Sequence, residues 1–124
     1  MGRENKWIGK IGENIATKFL KQKGYEILDV NARTPFGEID IVARRKDTMI
    51  FVEVKTRITS SLGPPFLSVT RSKQRHLIRN ALCYLKRRGR VDSDWRIDVI
   101  SVKLNDRYEP ESIELIENAV TEDA

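Results

Sequence analysis

Residues 37–57 read GEIDIVARRKDTMIFVEVKTR, and the pairing of this stretch with itself decides the fold. Two runs rich in Ile, Val and Phe, residues 38–44 and 49–57, flank a short polar connection at Arg45–Thr48. That is the pattern of a hairpin. Side chains alternate along a strand. Ile50, Val52, Val54 and Thr56 therefore share one face, which reads as core, while Phe51, Glu53 and Lys55 share the other. A four-residue connection pairs Arg44 with Met49. Asp40 then lies directly opposite Glu53, and Glu38 opposite Lys55. A one-residue slip would set Asp40 against a core-facing residue instead.

Opposed carboxylates about 5 Å apart repel each other, and a plain sheet would not choose them. A divalent cation held by Asp40 and Glu53 removes the repulsion, with the backbone carbonyl of Val54 as a further ligand. Lys55 could then orient or deprotonate a water beside the ion. These parts suit phosphodiester hydrolysis. Glu-x-Lys by itself is also what an ordinary solvated strand carries. The opposed Asp40 is what calls for a further explanation.

Composition narrows the chemistry. The chain has 124 residues, of which 40% are hydrophobic and 33% charged, as expected for one soluble domain with a core of two or three layers. It is read as a single domain over 1–124, with its core at about 5–117 and a short loose tail. No repeat, low-complexity tract or linker interrupts it. No run approaches the roughly 20 apolar residues of a membrane span, and MGRENKWIGKIGE lacks the apolar stretch of a secretion signal. A cytoplasmic protein is expected. One cysteine, Cys83, and one histidine, His76, exclude an internal disulfide, a Cys-rich zinc site and a His-pair site. Any metal must be held by carboxylates, which favours a hard ion such as Mg²⁺ (or Mn²⁺). A net charge of +5 mildly favours a polyanionic partner.

The remaining elements follow from periodicity. Residues 5–23 form a helix, with a stripe of Ile8, Ile11, Ile15, Phe19 and Leu20 stopped by Gly24. YEILDV (25–30) is a strand, followed by a loop through NARTPFG (31–37). SSLGPPF (60–66) is a loop. Thr70 caps a second helix running to about Arg88 and ended by Gly89; its stripe is Leu77, Ile78, Ala81, Leu82 and Leu85. Residues 95–103 form a strand, and SIELIE (112–117) a last edge strand. Trp7 and Trp95 are expected in the core or at its edge, His76 exposed, and Cys83 at a helix boundary. The order is helix, three strands, helix, strand: an α/β domain with a mixed sheet and helices.

These residues also carry a resemblance. GEID followed by FVEVKTR resembles the nuclease superfamily named PD-(D/E)xK, for a Pro-Asp…Asp/Glu-x-Lys motif. The wider set GENIATKFL, GYEIL, Asn-Ala-Arg before GEIDIV, the Gly-Pro loop, SKQRHLIRNALCYL and RIDVISV resembles the YraN-type family of small uncharacterised bacterial proteins, over roughly residues 7–120. The resemblance implies a restriction-endonuclease-like core, α-β-β-β-α-β, with a mixed sheet flanked by helices. It is similar to the archaeal Holliday-junction resolvases, and implies a metal site at Glu13, Asp40 and Glu53 with Lys55 beside it. Ile39 stands where the motif has Pro, which removes no ligand.

Other residues support this reading. Glu13 lies at the border of the first helix's apolar stripe, from which it could reach the sheet. Gln74 continues the second helix's stripe by one turn, where a polar amide needs a partner; it is expected to face the Lys55 end of the site, or to hold a water or phosphate. Arg57 follows Glu53 and Lys55 on their face, and with Arg33 it is a candidate phosphate clamp. Arg71 and Lys73 sit at the start of the second helix, where its dipole disfavours cations unless an anion is present. Each of these also has an ordinary surface explanation.

The expectation is a metal-dependent endonuclease-like protein acting on nucleic acid, DNA first, including branched or structured DNA in repair or recombination. A two-fold homodimer would match the symmetry of a four-way junction. The alternatives are a non-catalytic nucleic-acid-binding module with the same fold, and a protein-interaction domain with a vestigial site.

Overall fold

The structure is a computed structural model, and it describes residues 3–59 and 70–120. The chain runs α1 (Arg3–Gln22), β1 (Glu26–Thr34), β2 (Gly37–Arg45), β3 (Thr48–Ile58), α2 (Arg71–Arg87), β4 (Asp94–Leu104) and β5 (Pro110–Val120). The strands form one mixed sheet in the order β1-β2-β3-β4-β5. Only β3 and β4 are parallel, and α2 lies between them in the chain, as a parallel connection requires.

Both helices end as their sequences dictate. Gly24, at φ 92°, takes the left-handed conformation that stops α1. The Thr70 hydroxyl accepts from the Lys73 amide and caps α2. Gly89, at φ 66°, closes its other end.

Each face of the sheet is a core. Ala16 and Leu20 of α1 pack on Ile41, Ala43, Ile50, Val52, Ile100 and Val102. On the opposite face, Ala81, Tyr84 and Leu85 of α2 pack on Val42, Met49, Phe51 and Ile97. Each large aliphatic side chain so buried contributes roughly 1.5–3 kcal/mol. The face expected to be core from Ile50 and Val52 is therefore core, but so is its opposite as far as Phe51. A parallel central pair covered by helices on both sides needs apolar residues on both faces.

Several boundaries differ from the sequence reading. Asn31–Thr34 belong to β1, not to a loop, because Ala32, Arg33 and Thr34 pair with Ile39, Glu38 and Gly37. The turn is confined to Pro35–Phe36. The hairpin loop has two residues rather than four: Arg45 pairs with Thr48, and Lys46 at φ 55° makes the tight turn. The register is unchanged, since both loops pair Arg44 with Met49. The last strand extends to Pro110–Val120, beyond 112–117. In α2, Leu82 faces outward, while Asn80 and Tyr84 are buried. Trp7 is 54% exposed rather than core, and meets Tyr108 edge-on with centroids 4.8 Å apart. Trp95 does lie at the core edge, against Phe51. His76 is exposed and Cys83 is half-buried and free. The loop expected at 60–66 and the tail beyond 120 lie outside the described residues.

Candidate metal and nucleic-acid site

Two strand positions create the site. Pairing between β2 and β3 runs from Arg45–Thr48 to Ile41–Val52, so the next residues in register are Asp40 and Glu53. There the ladder gives way to a side chain. The Val54 amide donates to Asp40 Oδ2 at 2.8 Å, and the carboxyls of Asp40 and Glu53 share a hydrogen bond.

The surroundings of this pair are apolar. Ile39, Phe51, Leu77 and Ile97 join Asp40 and Glu53 around a void of about 10 Å³, at the lower limit for one water. Burial, then the hydrogen bond and charge of Glu53, push the Asp40 carboxyl up to about 8. The Val54 amide pulls the other way, and the charge of Glu13 adds to the rise. At neutral pH Asp40 is therefore held largely protonated, donating to Glu53. The sheet contains the opposed carboxylates expected from the register, and burial beside Glu53 favours the protonated form of Asp40.

Lys55 lies beside the pair, its Nζ 3.8 Å from Glu53 Oε2. Both side chains are about three-quarters shielded from solvent. Val54 is half-buried on β3 between them, and its amide is already engaged by Asp40. Gln74 lies three residues before Leu77 on α2, on the same helix side, with its Oε1 buried. Since Leu77 lines the void beside Asp40 and Glu53, this places Gln74 at the α2 edge of the pair.

Glu13 approaches from α1. It is half-buried, and its Oε1 accepts from Asn31 Nδ2 at 3.1 Å. The same amide donates to Glu38 Oε1 at 3.1 Å, and Lys10 Nζ donates to Asn31 Oδ1 at 3.4 Å. Asn31, in the stretch whose sequence reads as loop, lies in β1. It is the hub between α1 and the sheet edge, at φ 55° within β1. It sits between the pairs Val30–Ile41 and Ala32–Ile39, level with Asp40. The single sign of it in the sequence was an Asn in a run of strand formers, because Asn tolerates the left-handed region.

The donors are all oxygens, which fits a hard divalent cation. Asp40 and Glu53 fit as its first two ligands, with Glu13 tied to Asn31 nearby. Among the described residues no group of three or more His, Cys, Asp or Glu side chains is drawn together closely enough to hold an ion.

The expected phosphate contacts are dispersed. Arg57 is half-buried on β3 with its Nε out of solvent. Arg33 is almost fully exposed, 3.8 Å from Glu38. Arg71 and Lys73 are exposed on the first turn of α2, which contains no acidic residue.

Asp98, flanked by Ile97 and Val99, is fully buried. It accepts from Arg96 at 3.0 and 3.3 Å and from the Asn118 amide at 2.8 Å. Arg96 also donates to the Tyr25 hydroxyl at 3.1 Å and pairs with Glu117. This is a structural network closing β4 onto β5. No helix is long and apolar enough to cross a membrane among the described residues.

Comparison with known proteins gives consistent relatives. The family model described as "Uncharacterised protein family UPF0102" matches residues 12–102. A UPF0102 protein of Desulfosudis oleivorans is 48% identical over 119 residues, covering 96% of this chain and 94% of that protein. One from Caldicellulosiruptor saccharolyticus is 44% identical, covering 90% of this chain and 95% of the relative. One from Pelobacter propionicus is 49% identical, covering 94% and 84%.

Proposed function

The chain belongs to the uncharacterised protein family UPF0102, and we propose that this member is a metal-dependent endonuclease-like protein acting on nucleic acid, DNA first. The observation that carries this reading is the Asp40–Glu53 pair. Two carboxylates on neighbouring strands meet where the ladder ends, in apolar surroundings, with Asp40 pushed up to about 8 and Lys55 Nζ 3.8 Å from Glu53. A sheet that only needed stability would gain by replacing either carboxylate with Val or Thr.

Asp40 and Glu53 would hold Mg²⁺ or Mn²⁺, with Glu13 and the Val54 carbonyl as further donors. Such an ion lowers the pKa of its water and polarises a phosphoryl oxygen. Lys55, with its Nζ 3.8 Å from Glu53, would orient or deprotonate that water, and Gln74 would support it. Arg57, Arg33, Arg71 and Lys73 supply positive charge for the phosphates. The element order agrees with a restriction-endonuclease-like core, with β5 added at the edge. The net charge of +5 suits the same partner. A second reading, a nucleic-acid-binding module without cleavage, draws on the lack of a ready-made three-carboxylate cluster among the described residues.

The test uses purified protein with linear duplex, single-stranded and four-way-junction DNA, in Mg²⁺, Mn²⁺ or EDTA. Cleavage is expected with metal only, and its loss in Asp40→Asn and Lys55→Ala. Cleavage that survives EDTA and both substitutions would overturn the reading. Binding without cleavage under every metal condition selects the second reading.

A further inference from the structure

Beside the carboxylate pair, on its α1 side, lies an open cleft of about 460 Å³. It is lined by Lys6, Gly9, Lys10, Glu13, Asn31, Arg33 and Glu38. A second opening, of about 320 Å³, shares Arg33 and Glu38 with it and continues past Thr34 and Gly37. Together they make one groove along the sheet edge, from the first turns of α1 to the β1–β2 turn. We propose that this groove is a phosphate-backbone track, in which Lys6, Lys10 and Arg33 hold the nucleic-acid strand next to the Asp40–Glu53 site. The inference rests on the nucleic-acid reading and adds a path for the strand to it.

Charge and construction argue for a polyanion here. Three cations face the groove, against two carboxylates. Both carboxylates already accept from the Asn31 amide, each at 3.1 Å, and Arg33 stands 3.8 Å from Glu38. Lys6 and Lys10 have no carboxylate within salt-bridge distance among the described residues. They lie four apart on one side of α1, with Gly9 between them keeping the wall low. A Cβ at Gly9 would meet nothing within 4 Å, so the glycine is not required by packing. Its effect is to leave α1 backbone open to the groove, which suits close approach of a ligand's backbone.

The β1–β2 end is also shaped rather than loose. Gly37, at φ 136°, lies against His76: a Cβ there would stand 3.0 Å from His76 Nε2. Arg79 lies over the Phe36 ring at 5.5 Å. His76 and Arg79 of α2 thus stand beside the β1–β2 turn at this end of the groove. Glu13 ties the track to the site. It lines the groove, and its charge is felt at Asp40. Asn31 and Glu38 of the groove flank Asp40 in the β1–β2 register, so a strand bound along Lys6, Lys10 and Arg33 would run past the sheet edge next to Asp40.

The experiment measures binding of a labelled oligonucleotide, single-stranded and as duplex, across a salt series with EDTA present. It compares the wild type, Lys6→Gln/Lys10→Gln, Arg33→Gln, and a charge-matched control, Lys46→Gln/Arg90→Gln, at the opposite end of the sheet. Thermal unfolding checks that each variant is folded. The groove variants are expected to weaken binding and to flatten the slope of log affinity on log salt, by about 0.7–0.9 per lost phosphate contact. The control should keep the wild-type slope. Equal losses in groove and control variants would overturn the track, because the attraction would then be diffuse; unchanged binding in the groove variants would overturn it as well. A wild type that binds neither oligonucleotide removes the nucleic-acid reading itself, and the track with it.

Discussion

Asp40 has an ordinary side chain in an extraordinary place. Burial and Glu53 raise it from 3.8 to about 8, so the folded state binds a proton that the unfolded chain releases above about pH 4. Folding stability in EDTA must therefore fall as pH rises from about 4 to about 8, by a few kcal/mol at most, and level off above that. Asp40→Asn carries no titrating proton and should flatten this part of the profile. Urea unfolding midpoints at about pH 5 and about pH 8 check this; equal slopes in wild type and variant would count against it. A bound cation competes with the same proton, so any stabilisation by Mn²⁺ should grow over that range. The position of Asp40 was legible in the sequence, because alternation and register are set by the two runs around it. The role of Asn31 was not. A left-handed residue inside a strand leaves no periodic trace, and its contacts join three elements, Glu13 of α1 and Glu38 of β2 to β1.

At the scale of elements, α1 delivers Glu13 only because it lies very close to β3. A Cβ on Gly12 would fall 1.8 Å from Thr56 Oγ1 and 2.8 Å from its Cβ and Cγ2. Thr56 Oγ1 is itself buried without a hydrogen bond, so the hydroxyl is tolerated under the helix rather than used by it. Gly12→Ala must lift α1 and should destabilise the fold by roughly 1–3 kcal/mol despite its better helix propensity. Thr56→Ala should recover part of that loss in the double variant. Denaturant midpoints of the two single variants and the double test the coupling; strictly additive effects would contradict the contact. The helix itself was readable from its stripe. Its depth on the sheet was not, since a glycine in a helix signals nothing until the neighbouring strand is known. The exposed Leu82 has the same origin: α2 buries Asn80 instead, whose Oδ1 takes the Thr34 hydroxyl and whose Nδ2 donates to the Glu38 carbonyl at 3.4 Å, anchoring the β1–β2 turn.

Across the whole molecule, the sheet sets its two buried aspartates apart: one belongs to the scaffold, the other to the proposed site. One strand pair, β2–β3, carries Asp40 and Glu53. The parallel neighbour β4 carries Asp98, buried and bound by Arg96 and the Asn118 amide. In the sequence the two aspartates look alike, each flanked by aliphatic residues, and each accepts from one backbone amide; what divides them is that Asp98 has a cation beside it while Asp40 has another carboxylate. Asp98→Ala leaves Arg96 with only Tyr25 and Glu117, and leaves the Asn118 amide without its acceptor. The expected cost is about 3 kcal/mol, the lower end for breaking a buried pair, because Arg96 keeps some solvent. At a temperature where the variant is still folded, its Mn²⁺ affinity by calorimetry should match that of the wild type. Asp40→Asn should behave in the opposite way, keeping or gaining stability above about pH 7 while losing the ion. A variant of Asp98 that lost metal binding as completely as Asp40→Asn would mean that scaffold and site are one unit, and that the division between β2–β3 and β4–β5 is wrong.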